Sequence, residues 1–122
     1  MRPVVACHCK MCRKTSGHYV AATAARLIDI SIDGEPTWFE SSPGHARGFC
    51  GTCGSSLFWR DASTDRISIF AGSLEAPTGL RMAQQIFVGE KGDYYEIEPG
   101  LPQIVDGTDA RLEIPDATGS AS

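Results

Sequence analysis

After its first apolar pair, the run Leu27-Ile28-Asp29-Ile30-Ser31-Ile32-Asp33 alternates: Ile28, Ile30 and Ile32 take one face, and Asp29, Ser31 and Asp33 the other. A period of two predicts a half-buried strand, here closed by the turn signal Asp33-Gly34. Thr37-Trp38-Phe39-Glu40 predicts a second short strand, stopped by Ser41-Ser42-Pro43-Gly44. Arg47-Gly48-Phe49 and Ser56-Leu57-Phe58-Trp59-Arg60 predict a hairpin whose tip is Cys50-Gly51-Thr52-Cys53-Gly54. Arg66-Ile67-Ser68-Ile69-Phe70-Ala71 alternates again, and Gln85-Ile86-Phe87-Val88 is a further strand. Tyr19-Val20-Ala21-Ala22-Thr23-Ala24 fits either helix or strand, and its β-branched and aromatic members favour strand. Helical periodicity is weak throughout. The pattern predicts an all-β, β-rich single domain over residues 1–115, with a small polar tail at 116–122 expected to be disordered.

Composition agrees with short strands joined by turns, since 13 glycines and 7 prolines are many for a helical protein. A chain of 122 residues that is 42% apolar fits one domain with a modest core. The net charge of -4 argues against non-specific nucleic-acid binding, which needs a basic face. No apolar run approaches the roughly 20 residues that span a bilayer. Residues 1–6 also lack the apolar stretch of a secretory signal. The expectation is a cytoplasmic protein with neither a membrane nor a nucleic acid as partner.

The cysteines carry the chemistry. All five fall in two clusters, Cys7-His8-Cys9-Lys10-Met11-Cys12 and Cys50-Gly51-Thr52-Cys53. A secreted disulfide framework spreads its cysteines along the chain, whereas metal ligands bunch because one ion must be reached by neighbours. Zinc is the expected ion, since thiolates are soft donors and zinc accepts tetrahedral sulfur without redox chemistry. Three arrangements fit. Cys9, Cys12, Cys50 and Cys53 could close one structural site, leaving Cys7 over. Cys7, Cys9 and Cys12 could hold a zinc with an open fourth position, while Cys50 and Cys53 form half of another site. A single pool of five thiols could also exchange around one ion. The Cys-x-Cys spacing puts Cys7 and Cys9 on one side of an extended strand, which favours Cys7 as a ligand. An open position is the mark of a catalytic zinc, able to take up a substrate thiol and ionise it.

The run from Cys7 to Gly17, Ser41-Ser42-Pro43-Gly44, the run from Phe49 to Phe58, Gly72-Ser73-Leu74-Glu75-Ala76-Pro77 and Gln85-Ile86-Phe87-Val88 together resemble the glutathione-dependent formaldehyde-activating enzyme family. That family also includes centromere protein V. The resemblance implies a zinc-binding β-tent fold built from small antiparallel sheets. It implies a catalytic zinc on Cys7, Cys9 and Cys12, and half of a structural zinc site at Cys50 and Cys53. The implied activity is carbon–sulfur lyase chemistry, joining glutathione to formaldehyde or the reverse, with glutathione as the small-molecule partner. The alternative is a zinc-stabilised binding module without catalysis. Family members usually begin with a strand pair carrying another Cys-x-Cys, which this sequence lacks before Cys7. Three explanations fit: the missing ligands are encoded upstream of Met1, which is the favoured one; Cys7, Cys9 or Cys12 is recruited to the second pair; or other packing replaces the structural zinc.

Other residues carry less. His8 alternates away from its flanking ligands and is expected to face elsewhere; His18 and His45 read as surface. Lys10, Arg13 and Lys14 make a small positive patch that would attract an acidic thiol. Trp38, Phe39, Phe58, Trp59 and Phe87 are expected in the core or a pocket wall. Arg47 and Arg60 flank the second cluster and would cover it, and Gly17 and Gly54 read as turn formers.

Overall fold

The computed structural model describes residues 1–107; the domain limit expected at 115 and the tail expected at 116–122 lie outside the described residues. Seven strands among the described residues form one sheet: β1 (Val4–Cys7), β2 (Val20–Arg26), β3 (Thr37–Ser42), β4 (His45–Phe49), β5 (Ser56–Asp61), β6 (Arg66–Phe70) and β7 (Met82–Ile86). Their spatial order is β3-β4-β5-β6-β2-β1-β7. All pairs are antiparallel except β1 with β7. The all-β expectation holds. The strands join one continuous mixed ladder, where several small antiparallel sheets were expected.

Each strand forms where β-branched or alternating residues find a partner. The central strands β1, β2 and β6 carry the core, with Val4, Val5, Ala6, Val20, Ala24, Ala25, Ile67 and Ile69 buried. The hairpin β4–β5 turns at the second cysteine cluster, as the pattern predicts. Gly54 takes φ +80 there, a left-handed conformation that glycine adopts without steric cost.

The strand expected at 27–33 does not form. Residues Leu27–Asp29 make a 3-10 turn, and Ile28 stands 89% exposed. The alternation is real, but the β2–β6 ladder ends at Arg26 and the segment pairs with no strand. Ile30 and Ile32 line an open groove instead. Trp38 and Phe39 are also more exposed than expected, at 42% and 60%. Trp38 stacks on Phe58 across Gly48, where a Cβ would come within 3.0 Å of the indole.

Among the described residues one α-helix, α1 (Lys10–Ser16), follows β1 after His8 and Cys9. At seven residues it is too short to stand alone or to show a period in the sequence. No helix among the described residues is long and apolar enough to cross a membrane.

Candidate metal centre

The site is built where β1 passes into α1. Cys7 is the last residue of β1, opposite Val20 on one side and Ile86 on the other, so two strands fix its backbone. Cys9 keeps an extended backbone and caps α1, its Sγ accepting the Cys12 N–H at 3.4 Å. Cys12, buried in the first helical turn, supplies the third sulfur. The three Sγ atoms lie within 4.8 Å of one another.

Two further anchors hold the helix to the sheet. The Glu90 carboxylate accepts the Lys10 N–H at 3.0 Å, and Arg13 Nε donates to the Glu90 carbonyl at 2.8 Å. At the other end Gly17, at φ +82, returns its N–H to the Arg13 carbonyl. Arg13 is therefore tied through Nε to the turn after β7.

The thiols divide one charge unequally. Hydrogen bonds from Cys12 and Cys7 hold the Cys9 thiol far below its ordinary range. Cys7 is pushed up by its hydrogen bonds to Cys12 and Cys9 and by burial. For Cys12 the hydrogen bond from Cys7 pulls down, but Cys9 and burial push it up on balance. Without metal the cluster is one thiolate and two thiols. Its donors fit zinc: all are soft, none is in a disulfide, and sulfurs about 2.3 Å from one ion would need only a modest contraction.

Arg47 stands over this cluster from β4. Its Nη2 lies 4.0 Å from Cys12 Sγ, and its Nε is buried without a hydrogen-bond partner. The same side chain helps line a cleft of about 260 Å³ with Thr15, Phe39, Phe49, Phe58 and Phe70. The sequence placed Arg47 as cover for the second cluster. Its reach to Cys12 depends on strand order across 35 residues, which no local spacing signals.

Cys50 and Cys53 do not join the three. Among the described residues, Cys7, Cys9 and Cys12 are the group of three or more donors close enough for one ion. Cys50 is half-buried and lines an open groove of about 600 Å³ together with Met1, Ile30, Ile32 and Leu57. Cys53 is exposed, and its Sγ lies 3.0 Å from Ser55 Oγ, a contact that holds the thiol below its ordinary range.

His8 faces away from the cluster, as its alternation suggests. It is 1% exposed, with Nε2 at 2.7 Å from Gln85 Oε1 and Nδ1 at 2.8 Å from the Tyr95 hydroxyl. With the carboxamide oxygen accepting from Nε2, Nδ1 accepts from the tyrosine. Burial holds this imidazole below its ordinary pKa, hence neutral. His18 is exposed and packs edge-on to Tyr95, and His45 stacks on Trp59 beside Asp61.

Fold and site together define a β-rich protein with a three-thiol cluster, able to hold a metal ion, at a strand–helix joint. The sequence model of the glutathione-dependent formaldehyde-activating enzyme family matches residues 2–90, a span that holds both cysteine clusters and the Glu90 anchor. The chain belongs to that family. A comparison with curated proteins found no match.

Proposed function

We propose that this protein is a zinc-dependent carbon–sulfur lyase acting in the cytoplasm on the adduct of a thiol, glutathione or a close relative, with formaldehyde or a related aldehyde. The observation that carries the reading is the gathering of three sulfurs, which no fourth donor joins among the described residues, with Arg47 reaching from Cys12 to a cleft. Family membership supplies the thiol and the aldehyde. Cys7, Cys9 and Cys12 would hold the zinc. Once bound, the metal supplies a Lewis acid and lowers the pKa of a thiol brought to it.

The chain's own residues supply the rest. The β1–α1 joint fixes the three sulfurs, and Phe39, Phe49, Phe58 and Phe70 give the cleft an apolar lining on which the substrate's carbon skeleton can pack. Arg47 places a positive charge 4.0 Å from Cys12 Sγ, where it offsets the negative charge that thiolate ligands bring to the site. Overall, a thiol sulfur bonds to the carbonyl carbon, and the thiol proton ends on the oxygen. The reverse reaction breaks that bond and returns the aldehyde. Cys50 and Cys53 are proposed as half of a second, structural zinc site.

The test combines metal content with rate. Zinc-loaded protein mixed with glutathione and formaldehyde should form the adduct faster than the uncatalysed reaction. A rate equal to background at full zinc occupancy would remove this chemistry. A cobalt-substituted protein whose spectrum ignores glutathione would point instead to a closed, non-catalytic site.

A further inference from the structure

Arg47 has more donors than the protein uses. It rises from β4 in register with Phe39 on β3 and Trp59 on β5, so these side chains share a sheet face. One end of its guanidinium reaches Cys12, yet its buried Nε meets no acceptor. Among the described residues the hydrogen bond Arg47 makes is to a sulfur, and no carboxylate pairs with it. A buried charged donor left without an acceptor is costly, and neither the four phenylalanines nor the Thr15 and Ser56 hydroxyls that line the cleft with it accept from Nε.

The cleft also limits what can enter. At about 260 Å³ it falls below the roughly 300–1,000 Å³ of sites that enclose a whole drug-sized ligand. It admits the reacting end of a ligand and one short arm, the remainder staying outside. A planar guanidinium matches a carboxylate with two parallel hydrogen bonds, and low-polarity walls strengthen that pairing.

We propose that Arg47 and the cleft it lines form a carboxylate subsite linked by this side chain to the three-thiol cluster, favouring thiols that carry a carboxylate over neutral ones. The proposal rests on the reading of that cluster as an open metal site. It makes Arg47 a residue that determines ligand choice, beyond balancing the charge of the thiolates.

The experiment uses the whole chain loaded with cobalt(II), whose sulfur-to-metal absorption reports thiol binding without turnover. 3-Mercaptopropionate is titrated against its methyl ester, which keeps the sulfur arm and removes the charge. The wild-type protein should bind the acid about 10-fold more tightly than the ester, and R47Q should bind the two equally. Equal binding by the wild type, or an undiminished preference in R47Q, overturns the subsite. If R47Q does not retain cobalt, R47K carries the test: a reduced preference for the acid supports the subsite, and an unchanged one overturns it. A cobalt band that no thiol perturbs in the wild type overturns the open site as well, so the two failures are distinct.

Discussion

Cys9 is where the negative charge of the metal-free cluster settles, because two thiols donate to it. Of three thiols one is already ionised, and the raised Cys7 and Cys12 keep their protons at neutral pH. A metal ion must displace both. Its affinity therefore rises with pH, and we expect about 100-fold per pH unit near neutrality, two protons being released for each ion bound. Competition with a zinc indicator from pH 6 to 8 measures the slope; a slope of one proton would show that a second thiol is ionised beforehand. Cys53 behaves differently. Exposed, with Ser55 favouring its thiolate, it should be the first of the five to alkylate in metal-free protein, and Ser55→Ala should slow it. Mass mapping after brief iodoacetamide treatment checks the order, and faster labelling at buried Cys12 would contradict it.

At the scale of elements, the metal cluster depends on a two-turn helix that cannot hold itself. Glu90 accepts the first N–H of α1, so Glu90→Ala should cost about 1 kcal/mol and weaken metal retention several-fold, while the sheet stays intact. Urea unfolding with zinc competition checks both parts; unchanged metal retention would show that Gly17 and the Arg13 contact suffice. This helix also marks the limit of what the sequence discloses. The strands around the second cluster are legible because Phe49, Phe58 and Ile69 fall in alternating runs cut by turn residues. The Cys-x-Cys spacing marks Cys7 as a ligand, while the division of the five thiols into three and two comes from the family resemblance. A seven-residue helix shows no period, however, and the alternation at 28–32 pairs with no strand. Arg47 and Glu90 reach the site from 35 and 80 residues away, through strand order and the turn after β7. Nothing local to either residue encodes that arrival.

For the whole molecule the question is how much of the fold rests on metal. The buried apolar set is small-sided: Ala6, Ala24 and Ala25 stand among Val4, Val5, Val20, Ile67 and Ile69, so the core has little reserve. The three-thiol cluster ties the end of β1 to α1, and through Arg47 it touches β4. An ion held only in the folded state adds about 4 kcal/mol when free metal exceeds its dissociation constant a thousandfold. At about 4 °C per kcal/mol for a chain of this size, chelation should lower the melting temperature by about 15 °C. The variants locate the effect. Cys9→Ser should melt near the chelated wild type whether or not zinc is added, because it removes the sulfur that both other thiols contact. Cys53→Ser should keep most of the zinc-dependent rise, since its sulfur lies outside the cluster. The reverse pattern, with the rise lost in Cys53→Ser and kept in Cys9→Ser, would assign the stabilising metal to the second cysteine pair. The three-thiol centre would then be free to exchange its ion without cost to the fold.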